Sequence, residues 1–139
     1  MVSEGAVSHG SIAECVKASE VVITMQQGQI RESGDVEEVY FAPGNILDSA
    51  AKGMTLIDMT TTSPTLAQRI YQEGAARRLR VLDAPVTGGD SGARAGTLSI
   101  LVGGDQADFD ACLSIFQAIT SPISVPQAAA NTPKWPIRS

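Results

Sequence analysis

Three short, nearly uninterrupted apolar runs set the strongest limit on what this chain can fold into. They are Val21 to Met25 (V-V-I-T-M), Thr55 to Met59 (T-L-I-D-M) and Arg80 to Ala84 (R-V-L-D-A). Strands with apolar side chains on both faces need cover on both faces, which is the situation of a parallel sheet between helices. The intervening stretches supply the helices. Ser11-Ile-Ala-Glu14 matches a capping box, and Ile12, Cys15 and Val16 give the apolar stripe behind it. Asp35 to Tyr40 and Asn45 to Ala51 read as short helices, the second stopped by Gly53. Ser63-Pro64 sets an N-cap with proline at the first helical position, followed by an inward face of Leu66, Ala67, Ile70 and Tyr71.

Leu98 to Val102 predicts a fourth strand. Asp105 then caps a last helix in which Phe109, Cys112, Leu113 and Phe116 recur at helical spacing. A short extended piece around Ile123 to Val125 closes the sheet, and the polar stretch from Gln26 to Gly34 is a loop. From Asn131 to Ser139 the chain has two prolines, one tryptophan and no periodicity, the composition of a tail.

At 139 residues the chain predicts one domain. Apolar residues at 43% and charged residues at 18% argue for a packed core and against disorder. A net charge of −5 and scattered arginines leave no basic stripe for nucleic acid, and 4% aromatics leave no base-stacking platform. The only histidine is His9, and no Cys/His cluster is spaced for a metal. No apolar stretch reaches a membrane span, so the expected location is the cytoplasm, with Cys15 and Cys112 reduced and buried.

In open α/β sheets ligands bind beyond the carboxyl ends of the strands. Gln26 and Gln27 follow the first apolar run. Thr60, Thr61, Thr62 and Ser63 follow the second and lead into a helix N-terminus, which reads either as an anion seat or as an ordinary cap. The third run enters Pro85-Val86-Thr87-Gly88-Gly89, where glycines allow a ligand close to the backbone and the Thr87 hydroxyl can donate to a carboxylate.

The string D-A-P-V-T-G-G-D-S-G-A-R-A-G-T-L-S-I-L-V-G-G, from Asp83 to Gly104, resembles the substrate loop of the β-hydroxyacid dehydrogenases, relatives of 6-phosphogluconate dehydrogenase. V-V-I-T-M, D-V-E-E-V-Y-F and L-I-D-M-T-T-T-S-P extend the resemblance over roughly Glu4 to Ile119. It implies a Rossmann-like α/β domain with a mostly parallel sheet and helices on both faces. It also implies NAD or NADP as cofactor and hydride exchange at a hydroxyl-bearing carbon. By position, Thr87, Gly88 and Gly89 match the loop for the substrate carboxylate. Met25, Gln26 and Gln27 match the turn past the nicotinamide, where the family commonly has leucine-proline in place of the two glutamines. Thr61 matches the threonine near the nicotinamide ribose.

Two family features have no counterpart in this sequence. One is the first βαβ unit with its G-x-G-x-x-G pyrophosphate seat. The other is the catalytic lysine, which the family carries in a stretch resembling G-P-A-G-G-G-Q-H-T-K-M-A-N-Q-I. Ala130 to Ser139 can be encoded GCC AAC ACA CCA AAA TGG CCA ATC AGA TCN, and the frame beginning on the third base reads Q-H-T-K-M-A-N-Q-I. Val125 to Ala129, with the last base of Ser124 and the first two of Ala130, can yield G-P-A-G-G-G in that frame. The expectation is an incomplete dinucleotide-binding domain over residues 1–130 and a tail, 131–139, shifted by a single-base slip near Ile119 to Pro122. Such a chain is a dehydrogenase remnant without turnover alone, retaining weak carboxylate or nucleotide binding. Alternatives are a non-catalytic oligomeric module, or an enzyme completed by another chain. The apolar run Val21 to Met25, left as a sheet edge, predicts a homodimer or higher oligomer that covers it.

Overall fold

The computed structural model describes residues 2–26, 34–60 and 63–119. After a 3₁₀ turn at Val2–Glu4, the order is α1 (Ile12–Lys17), β1 (Val21–Thr24), α2 (Gly34–Phe41), α3 (Ile46–Ser49), β2 (Thr55–Asp58), α4 (Pro64–Ala76), β3 (Arg80–Asp83), β4 (Val86–Thr87), α5 (Gly89–Ala95), β5 (Ser99–Ile100) and α6 (Gln106–Ile119). The three apolar runs form one parallel sheet in the order β1-β2-β3, with Thr24, Asp58 and Asp83 in register at its carboxyl end. This is the expected α/β architecture. The expectations at Gln27, Thr61 and Thr62, at Ile123 to Val125 and along Asn131 to Ser139 lie outside the described residues.

The two-residue period of the strands divides the core in two. Leu56 and Val81 face one side, where α1, α2, α3 and α4 supply Val16, Val36, Tyr40, Ile46, Leu47, Leu66 and Ile70. Ile57 and Leu82 face the other, against Ile100, Val102 and Phe109, Cys112 and Phe116 of α6. Phe109 and Phe116, two turns apart on α6, stack at 5.9 Å between ring centroids. Helices therefore cover both faces, as a sheet with apolar residues on both sides requires.

Local signals were realised where they concern single turns. Ser11 Oγ accepts from the Glu14 amide at 3.2 Å, while the Glu14 carboxylate reaches back to the Gly10 amide at 3.0 Å. Ser63 Oγ accepts from the Leu66 amide, with Pro64 at the first position of α4. Asp105 stands just before α6, but its carboxylate accepts from the Tyr71 hydroxyl at 3.2 Å and so ties α6 to α4.

Three expectations are corrected. Cys15 is exposed: α1 has six residues, and its buried line runs along Ile12 and Val16, one turn apart, leaving Cys15 turned outward. Cys112 is buried as expected, and desolvation pushes its thiol pKa up, with Asp108 adding to the effect. The glycine-rich loop after Gly88 contains a helix, α5, ended by Gly96. The fourth strand is only Ser99–Ile100 and runs antiparallel to β4, while Gly103 forms an antiparallel bridge to Asp83.

Gly74 illustrates how packing overrides propensity. It lies within α4, where alanine is normally favoured by about 1 kcal/mol. A Cβ there would collide with the Val81 side chain, which is itself held by β3. Gly74→Ala is therefore expected to lower the melting temperature, and a rise would show that α4 can move off β3 at little cost.

Candidate functional site

The carboxyl ends of β1 and β2 are joined by a buried polar network. Asp58 is 3% exposed, and its Oδ1 accepts both from the Thr24 hydroxyl at 2.9 Å and from the Thr60 amide at 3.0 Å. Thr60, equally buried, accepts on Oγ1 from the Gln26 amide at 3.1 Å. The Thr24 hydroxyl also meets the Tyr40 hydroxyl of α2 at 2.6 Å. A carboxylate inside a protein needs such donors to offset its lost hydration. Their arrangement fixes the backbone of Gln26 against the segment that follows β2.

Tyr40 is 1% exposed, and burial raises its pKa far above the ordinary 10.0, with the Asp58 charge and, more weakly, that of Asp83 adding to the effect. The Thr24 contact acts in the opposite sense. The native state thus holds the phenolic proton more tightly than the unfolded chain does. The stabilisation is complete below pH 10 and falls as pH rises beyond it. An alkaline absorbance titration is expected to show Tyr40 ionising only with unfolding. Tyr40→Phe should flatten the decline of melting temperature above pH 10, and an unchanged slope would contradict this.

The end of β3 leads by a short link into β4 and the elbow at Gly88 and Gly89. Both glycines have positive φ, 124° and 58°. At Gly88 a Cβ would stand 3.3 Å from the Leu98 side chain, a tight contact that adds to the preference for glycine. At Gly89 a Cβ would meet nothing within 4 Å. The chain itself leaves that space open, which is what a ligand approaching the backbone needs. The Thr87 hydroxyl is exposed and donates to the Ser99 carbonyl over a long 3.4 Å, a bond weak enough to exchange for a better acceptor.

Met25, Gln26, Thr60 and the Thr87–Gly88–Gly89 elbow therefore all follow carboxyl ends of neighbouring strands. Met25 is half exposed, 50%, beside the tethered Gln26. Gln27 and Thr61 lie outside the described residues. Lys17 ends α1 just before β1, and Lys52 stands just before β2, so both mark the amino end of the sheet. Sequence reasoning missed Thr24, Tyr40 and Asp58. The available signal was Asp58 itself, a carboxylate at the end of a fully buried strand. Among the described residues no group of three or more His, Cys, Asp or Glu is placed to hold a metal ion, and no helix is long and apolar enough to cross a membrane.

Comparison with known proteins agrees with this geometry. The family model described as the NAD binding domain of 6-phosphogluconate dehydrogenase matches residues 1–128. The chain is 43% identical over 116 residues to the uncharacterized oxidoreductase YkwC of Bacillus subtilis, covering 84% of this chain and 39% of that one. It is 39% identical over 109 residues to a 3-hydroxyisobutyrate dehydrogenase of Pseudomonas aeruginosa, covering 78% of this chain and 35% of the relative. A structure of Mycobacterium tuberculosis 3-hydroxyisobutyrate dehydrogenase with L-serine superposes with a TM-score of 0.75 at 29% identity, covering 86% of this chain and 38% of that one. The chain thus spans about two-fifths of the length of the relatives it matches. With the parallel sheet, the elbow after β3 and this match in view, the chain belongs to the family of the NAD binding domain of 6-phosphogluconate dehydrogenase.

Proposed function

We propose that this chain carries the nicotinamide-side and carboxylate-side elements of an NAD(P)-dependent 3-hydroxyacid dehydrogenase or semialdehyde reductase, and binds these ligands weakly without turnover on its own. The carrying observation is the separation of two chemistries across the sheet. Met25, Gln26, Thr60 and the Thr87–Gly89 elbow follow the carboxyl ends of β1, β2 and β3, while Lys17 and Lys52 stand at the amino ends. Lys134 lies in the tail, outside the described residues.

The residues present fit the nicotinamide end of a dinucleotide. Exposed Met25 offers an apolar wall, Gln26 is tethered beside it, and the open space at Gly89 admits a carboxylate near Thr87. A bound nicotinamide would supply the hydride donor or acceptor for the hydroxyl-bearing carbon. The hydroxyl proton then needs a general base within hydrogen-bond reach. Tyr40 and Asp58 are buried and committed to the Thr24 network. No described lysine reaches the carboxyl edge. Position without proton transfer gives binding without reaction.

The tail fits the same reading. Synonymous codons for Val125 to Ser139 permit an alternate frame that spells a lysine-bearing stretch of the family, so we attribute the tail to a single-base slip near Ile119 to Pro122. Codons incompatible with that frame in the encoding DNA would refute the attribution. Binding is tested by fluorescence titration with NADH and NADPH. A saturable enhancement with Kd of roughly 0.1–1 mM is expected, and its absence up to several times that range would overturn the proposal.

A second reading has one observation in its favour. Among the described residues β1 pairs with β2 alone, and Ile23 on it is 43% exposed. An apolar sheet edge invites another chain, so a homodimer or higher oligomer is expected by light scattering, and a monomer at micromolar concentration would contradict it.

A further inference from the structure

We propose that Tyr40 is a positioning residue for the turn after β1, acting through a one-way chain of hydrogen bonds from Tyr40 to Thr24 to Asp58. The inference rests on the reading above that this turn faces a dinucleotide. The direction of the chain follows from counting protons. Asp58 Oδ1 accepts from the Thr60 amide at 3.0 Å, so this oxygen acts as an acceptor. The Thr24 hydroxyl, 2.9 Å away, therefore donates to it. A threonine hydroxyl has one proton and two lone pairs. With that proton given to Asp58, the 2.6 Å contact between Thr24 and Tyr40 is a donation by the phenol.

The consequence reaches the ligand-contacting edge. Tyr40 belongs to the last turn of α2, Thr24 ends β1 and Asp58 ends β2. Asp58 orients the Thr60 backbone, and Thr60 Oγ1 receives the Gln26 amide at 3.1 Å. Each member restricts the next, so α2 is coupled to the placement of Gln26 without Tyr40 touching the ligand. Burial of the phenol keeps its proton in place across the physiological range.

The test uses the full chain with Tyr40→Phe, Thr24→Val and Thr24→Ser. Phenylalanine keeps the buried ring, and serine keeps the hydroxyl. Amide hydrogen exchange at Gln26 is followed beside that of Leu56 and Ile57 in β2, together with NADH affinity. Tyr40→Phe and Thr24→Val should each speed Gln26 exchange by about tenfold, leave Leu56 and Ile57 within about twofold, and weaken NADH by roughly three- to tenfold. Thr24→Ser should restore both to near the wild-type values. A lowered melting temperature with unchanged Gln26 exchange and unchanged NADH affinity would make the network a core contact only and overturn the proposal. If the wild-type chain binds no NADH, the dinucleotide reading fails, and Gln26 exchange alone then decides whether the chain of hydrogen bonds positions the turn.

Discussion

Asp58→Ala is expected to lower the unfolding free energy by about 3–5 kcal/mol, since two donors lose a charged acceptor in the interior. The half-buried Thr24 hydroxyl and the buried Thr60 amide both point at Oδ1 and lose that acceptor together. A loss of this size is a large part of the total stability of a domain this small. Asp58→Asn keeps a carbonyl oxygen for both donors and should recover more than half of the loss. Urea denaturation with an unchanged m-value measures it. A cost below about 1 kcal/mol for Asp58→Ala would mean that the network relaxes and that Asp58 does not organise the edge.

Gly104→Ala should cost about 2–4 kcal/mol, by strain and collision together. Gly104 has φ of 142°, a region costly for any residue with a Cβ. The added Cβ would stand 2.7 Å from the Leu82 side chain and 3.0 Å from the Val81 carbonyl oxygen, in the middle of β3. Relief would require moving Gly103, whose amide and carbonyl both bond Asp83, at 2.7 and 2.9 Å. The same substitution therefore disturbs the exit of β3 toward the Thr87–Gly89 elbow. Circular dichroism melting reads the stability, and a change of less than about 2 °C would contradict the close packing of this segment.

What could be read from the sequence was local or periodic. The three apolar runs gave the parallel sheet, because burial on both faces leaves no polar alternation to mistake. Ser11 and Ser63 announced their helices because a cap is decided within one turn. Cys15 misled because a stripe of three positions does not say which edge of the stripe faces the core. The segment after Gly88 misled because its glycines suggested a loop, whereas the positive φ values gather at its two ends and the residues between them close a helix. The antiparallel direction of β5 is not written in L-S-I-L-V, since an apolar run carries no sign of chain direction.

The polar network was hidden for another reason. Thr24 and Tyr40 are 16 residues apart, and Thr24 and Asp58 are 34 apart. Only the fold brings them together. The elbow at Thr87, Gly88 and Gly89 was legible through a long motif, and the structure adds a distinction the motif cannot make. A Cβ at Gly88 would crowd the Leu98 side chain, while at Gly89 it would meet open space.

Following NADH fluorescence with time, as the chain and then tartronic semialdehyde are added, separates the proposed binding from turnover. A saturable rise on adding the chain and a flat trace after the semialdehyde are expected. A decay of NADH whose rate scales with chain concentration would contradict binding without turnover.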